Sequence, residues 1–138
     1  MDARTLTYRT TTAVTVFVLL SGGLADLLGA EWAVTGVTAL GYPAYVVTLL
    51  GVWKVLGAVA LTVPGYARLK EWAYAGVVFD LSGAAVSHLA SGSPAFHLVV
   101  TTTLLVVAGI SWATRPASRR LAAATERRER VAEPVPAV

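Results

Sequence analysis

The first residue that asks for an explanation is Lys54, in the run LLGVWKVLGAVAL (residues 49–61), where every neighbour is at home in hydrocarbon. A second charge, Asp80, interrupts the run YAGVVFDLSGAAV. An ammonium and a carboxylate in such surroundings have two uses. They can pair as a staple that fixes helix register, or they can form a polar centre that holds a ligand headgroup or handles a proton. Further along lie Ser87 and His88, the latter two helical turns beyond Asp80 on nearly the same face, so the spacing permits a proton or ligand path between them. A looser set of polar residues, Asp26, Glu31 and His97, falls near the ends of apolar runs together with His88. His and carboxylate side chains are zinc ligands, but their spacing here fits no compact metal motif, and no metal site is assigned. The chain has no cysteine, which excludes thiolate metal sites, disulfides and dithiol electron relays.

The elements that carry these residues follow from composition. Of 138 residues, 56% are hydrophobic and 14% charged; a soluble domain has about 25% charged residues. The length fits one domain. Four apolar runs, about 10–28, 43–63, 71–90 and 95–113, each approach the roughly 20 residues that a helix needs to cross the hydrocarbon core. Tyr8, Trp32, Tyr42, Tyr45, Tyr66, Trp72, Tyr74 and Trp112 lie near their ends, as interfacial aromatic residues do. The reading is an all-α, integral membrane four-helix bundle. The alternating ten-residue segments of a membrane barrel are missing.

Ten of the eleven basic residues precede the first run, join the second to the third, or follow the fourth: Arg4, Arg9, Arg68, Lys70, Arg115, Arg119, Arg120, Arg127, Arg128 and Arg130. The positive-inside rule makes that side cytoplasmic, with both termini inside the cell membrane. Reading the N-terminus as a cleaved signal peptide would break this alternation. Residues 114–138 form a basic tail, read as a solvated topology anchor attracted to anionic lipid. Its end, EPVPAV, is expected to be disordered. Two stretches repeat weakly. GYPAYVV resembles GSPAFHLVV, and FVLLSGGLAD echoes FDLSGAAVSH, which suggests two duplicated helical hairpins. In that register Lys54 matches Leu105 and Asp80 matches Leu19, so neither charge has a charged counterpart at the equivalent position of the other copy.

Lys54 lies as far before Ala67, the centre of the turn PGYARLK, as Asp80 lies after it. In antiparallel neighbours this puts both at one depth, about 15 Å into the bilayer at about 1.5 Å per residue. A charge there costs about 2.5–3.5 kcal/mol even on a lenient scale. A facing Lys54–Asp80 pair is therefore expected. Gly76, Gly83, Ala84 and Ser87 share the Asp80 face, while Gly51, Gly57 and Ala58 lie near that of Lys54. Such small residues are expected to let the helices approach closely.

GVWKVLG, the turn PGYARLKEWAYAG and FDLSGAAVSH together resemble the DoxX-like membrane proteins of the DoxX/DoxD superfamily, over about residues 10–113. The resemblance implies a four-helix membrane fold. It also implies a role as a membrane subunit of a quinone-linked oxidoreductase or in responses to oxidative stress. Glu71 fits the motif and is expected to cap the start of its helix or to pair with Arg68 or Lys70. No haem motif, nucleotide loop or flavin fingerprint is visible, so no cofactor is evident, and any electron transfer would need a bound quinone or another subunit. The chain by itself is read as non-catalytic: a membrane subunit or a binder of a quinone-like or lipid molecule. A small proton-coupled carrier and a structural scaffold are the alternatives. Membrane lipids, a partner oxidoreductase subunit or a second copy are the partners in view; nucleic acid is not.

Overall fold

A computed structural model of the chain describes residues 2–120. It contains five helices, α1 (Ala3–Leu27), α2 (Glu31–Ala39), α3 (Tyr45–Thr62), α4 (Ala67–Ala90) and α5 (Ala95–Thr114), and a short 3₁₀ turn, Ala117–Arg119. The four longer helices are each long and apolar enough to cross a membrane. They pack as an antiparallel ring in the order α1, α3, α4, α5, with α5 closing back on α1. This is the four-helix membrane bundle that the apolar runs imply. The first hairpin pairs α1 with α3, and the second pairs α4 with α5.

Glycines set where two of the spans stop. Gly29 after α1 and Gly92 after α4 have φ of +64° and +63°, a conformation open to glycine at no steric cost. At each, the residue after the glycine closes a 6→1 bond: Ala30 N–H donates to Ala25 C=O at 2.9 Å, and Ser93 N–H to His88 C=O at 3.0 Å. Both ends are Schellman caps that satisfy carbonyls the helix would otherwise leave bare.

α2 is the element that the apolar runs did not announce. EWAVTGVTA falls between the Gly29 cap and Gly41, in a stretch read as a connection. It is too short to span, and it lies across the end of the bundle away from the basic residues. Its Ala33 is buried while Trp32 stays exposed.

The packed core sits toward the basic end. Leu19, Ala58, Leu61, Tyr74, Val77 and Ala108 bring all four spans together there. Below them, Ser111 Oγ lies 2.7 Å from both the Thr12 and Tyr74 hydroxyls, so the buried Ser111 and Tyr74 and the half-buried Thr12 satisfy one another. At the far end α1 and α3 remain in close contact, but α4 and α5 bury no residue beyond Val77 and before Ala108. The far half of the bundle is therefore open on the α4–α5 side.

The closest approach of two helices is between α1 and α3, at Gly23 and Gly51. A Cβ on Gly51 would stand 2.9 Å from the Gly23 carbonyl oxygen; one on Gly23 would stand 2.9 Å from the Lys54 Cβ. Small residues thus bring α1 to α3. The expected close approach along the α4 face does not occur, since a Cβ on Gly76 or Gly83 would meet open space. These glycines border cavities instead.

The basic residues are less solvated than a topology anchor implies. Lys70 is 1% exposed. Its ammonium donates to the carbonyls of Ala60 and Leu61, both at 3.0 Å, and of Val63, so it caps the C-terminal end of α3. Arg115 is buried, bonds Glu71 at 2.7 Å and lies over the Tyr74 and Trp112 rings. Trp112 Nε1 donates to the other Glu71 oxygen at 3.0 Å. Glu71 is therefore neither a helix cap nor a partner of Arg68 or Lys70. α4 begins a full turn earlier, and the buried Arg115 claims the carboxylate. Arg119 donates to the Tyr8 hydroxyl at 3.1 Å. Arg127, Arg128, Arg130 and EPVPAV lie outside the described residues.

Candidate functional site

Lys54 finds its direct partner on α1. Its Nζ is 2.8 Å from Asp26 Oδ2, and the Asp26 side chain is 5% exposed. The expected facing pair with Asp80 is corrected here, for a structural reason. Counting residues from the α3–α4 turn fixes depth but not neighbourhood, and α3 packs more closely against α1 than against α4. Asp26 is one turn beyond Gly23, and Lys54 is one turn from Gly51 in the opposite direction. A Cβ on Gly23 would stand 2.9 Å from the Lys54 Cβ and one on Gly51 3.0 Å from the Asp26 Cβ, so both side chains spring from the crossing itself and the long lysine stem covers the offset between them. Lys54 bends toward the far end and meets Asp26. Asp26 is thus part of the polar centre, not of an outer cluster with Glu31, which is exposed.

Asp80 stands in the same cavity walls as Lys54. It accepts no hydrogen bond and makes no ion pair among the described residues. No fully buried side-chain oxygen or nitrogen among those residues lacks a partner. The Asp80 oxygens are therefore not sealed in protein; they open to the cavities that Asp80 lines. Lys54 is similarly incomplete. An ammonium has three donors, and one is used on Asp26.

Two cavities meet at these residues. The first, about 540 Å³, occupies the far half of the bundle beneath α2. Lys54 and Asp80 stand in its wall with Ser87, His88, His97 and Thr101, and Trp32, Tyr42 and Phe79 add aromatic surface. The second, about 520 Å³, is a groove between α3 and α4 lined by Trp53, Leu56, Trp72 and Gly76. Leu19, Leu50, Lys54, Val77 and Asp80 border both. Trp53 and Trp72 are 64% and 80% exposed, so the groove faces the surroundings of the bundle. Each volume falls in the range of small-molecule pockets, about 300–1,000 Å³.

The remaining site residues of the sequence reading gather at the mouth of the first cavity. The His88 and His97 rings stack with centroids 4.8 Å apart and planes 13° from parallel. His88 Nδ1 is 3.1 Å from Ser93 Oγ. Ser87 donates to the Gly83 carbonyl at 2.8 Å and lies 2.8 Å from the Tyr42 hydroxyl, which ties α4 to the segment before α3. Among the described residues no three His, Asp or Glu side chains converge on one point as metal ligands. Glu71 stands apart, at the basic end. Sequence reasoning missed the role of Gly23. The local sequence SGGLAD gave no signal for it, since Gly76 likewise precedes an acid by one turn and meets nothing.

The model of the DoxX-like family matches residues 10–111, which include every residue of the polar centre. The chain belongs to the DoxX-like family. Comparison with curated proteins and with solved structures yields no match. Family and helices together make this a multi-pass membrane protein in contact with lipid. In this DoxX-like chain, the two cavities and the charges between them are the feature with chemical capacity. They offer a donor, an acceptor and apolar room within one helix crossing.

Proposed function

We propose that this DoxX-like protein binds an amphipathic small molecule, quinone-like or lipid, and works as a non-catalytic membrane subunit. The head sits at Lys54 and Asp80, and the apolar part lies along the α3–α4 groove. One observation carries the reading: both cavities share Lys54 and Asp80, each with unused hydrogen-bonding capacity. A structural staple would be expected to satisfy its own groups, as Glu71 and Arg115 do. The basic end, with Arg4, Arg68, Lys70, Arg115, Arg119 and Arg120, faces the cytoplasm in this account, and both termini lie there. A redox or stress-related partner complex is the setting that the family suggests.

A second reading, a proton-coupled carrier, draws support from Asp80, Ser87 and His88. They line one continuous wall of the first cavity toward its mouth. It predicts pH-dependent flux in proteoliposomes that Asp80→Asn abolishes. The binder is tested by native mass spectrometry on protein released gently from its membrane. A small-molecule adduct present in the wild type and lost in Lys54→Met/Asp80→Leu supports it. Identical spectra for both proteins contradict it and favour a structural scaffold.

A further inference from the structure

Lys54 and Asp80 stand at the junction of the cavities, and a second carboxylate, the buried Asp26, is bonded to the lysine. Asp26 holds the ammonium directly at 2.8 Å, while Asp80 stands with Lys54 in the walls of both cavities and has no bond of its own. No arginine and no second lysine lines either cavity. The only other titratable side chains in those walls are His88, His97 and Tyr42. His88 and His97 are stacked on each other at the mouth, and the Tyr42 hydroxyl lies against Ser87. With its acids ionised the centre is therefore one positive charge short. Removing a carboxylate from water without a partner is costly, and here the space for a partner is already present.

The rest of the lining fits a cation as well. Trp32, Tyr42 and Phe79 line the first cavity, and Trp53 and Trp72 the groove. Aromatic faces attract organic cations, most strongly where water is excluded. The groove itself is apolar and runs from Asp80 toward the basic end past Gly76, where a side chain would meet open space and its absence leaves room for a chain.

We infer that the site selects an organic ammonium carried on a single apolar chain, with the cation at Asp80 and the chain in the α3–α4 groove. This rests on the binder reading above and narrows it. The Lys54–Asp26 bond is internal, so the lysine offsets the second acid only in part. The free acid chooses the head.

Four probes that differ mainly in the head test this: dodecylammonium, dodecanol, dodecanoate and a dodecanoyl lysophosphatidylethanolamine. Each is titrated into the full chain in nanodiscs, with retained adducts counted by native mass spectrometry and tryptophan fluorescence read in parallel. Dodecylammonium is expected to be retained about 30-fold better than dodecanol, the lower end of what a desolvated charge pair is worth. Asp80→Asn, which breaks no hydrogen bond in the protein, is expected to remove that preference, and Asp80→Glu to restore part of it. Lysophosphatidylethanolamine bound as well as dodecylammonium identifies the cation as a lipid headgroup; much weaker binding identifies a free amine. Equal retention of dodecanol and dodecylammonium by the wild type overturns the inference, because Asp80 is then neutral. Preference for dodecanoate overturns it too, and makes Lys54 the anchor. In both cases Lys54-dependent retention leaves the binder intact. If no probe is retained by the wild type, both readings fail together. The three-way comparison in the wild type needs no variant to fold.

Discussion

Asparagine at position 26 removes the carboxylate that Lys54 bonds at 2.8 Å. In a site with one acid and one base, stranding the base would cost about 3–5 kcal/mol, as breaking a buried pair does. Here a second acid stands by. Asp80 lines both cavities with Lys54 and owes nothing to other protein groups, so a lysine on its four-carbon stem can turn to it. Asp26→Asn alone is therefore expected to cost only about 1–2 kcal/mol, the loss of a well-formed hydrogen bond to a charged group. Asp80→Asn alone should cost about nothing, or stabilise slightly, since it removes an unpaired charge. Together they leave Lys54 with no counter-charge and should cost the full value, about 3–5 kcal/mol. The double-mutant cycle thus carries a coupling of about 2 kcal/mol, within the range for residues of one network. Reversible unfolding in mixed micelles, run on all four proteins, measures it. A double variant no less stable than the sum of the singles refutes the shared lysine. An Asp26→Asn protein as damaged as the double variant would mean that Asp80 cannot take its place.

Other outcomes follow from the packing. Gly51→Val should destabilise by about 1–3 kcal/mol, because its Cβ meets the Gly23 carbonyl at 2.9 Å and neither helix can yield without losing the crossing. Gly83→Ala, placed in open space in mid-helix, should instead be neutral or gain up to about 1 kcal/mol; thermal unfolding in detergent separates the two. Lys70→Met should lose about 1–3 kcal/mol by leaving the α3 carbonyls without their donor, and hydrogen exchange should rise at the end of α3 before it rises elsewhere. Exchanging Glu71 and Arg115 should recover part of the stability that either Glu71→Gln or Arg115→Met loses, since the pair is bonded at 2.7 Å; no recovery would mean that the rings of Tyr74 and Trp112, not the charge, hold the arginine.

The four spans could be read from the chain because hydrocarbon imposes one requirement, length of apolar helix, that composition records directly. The polar centre was half legible. Lys54 and Asp80 stood out because charge in an apolar run is costly wherever its helix packs. Their partnership did not, since equal distance from the α3–α4 turn gives depth alone, and four helices leave a choice of neighbour. That choice was made by Gly23 and Gly51, two glycines among twelve, and nothing in their local sequence distinguishes them from Gly76 and Gly83, which meet nothing. Asp26, near the end of α1, read as an interfacial residue because its burial comes from α3. α2 was invisible for a different reason: nine residues with no spanning length look like a connection until the cavity beneath them is seen. The basic end misled through its chemistry. Lys70 and Arg115 obey the charge rule for loops and also serve as buried donors, and sequence shows only the first use.

The central claim, that Lys54 and Asp80 bound an occupied site, is tested most directly by a structure of the full chain crystallised from a lipidic phase with no ligand added. The account predicts elongated density that runs from the α3–α4 groove to the cavity junction. One end would lie within hydrogen-bonding distance of the Asp80 carboxylate, with Lys54 still on Asp26. Density of water alone at the junction, or an Asp80 carboxylate bonded directly to Lys54 with the groove closed over it, would contradict it.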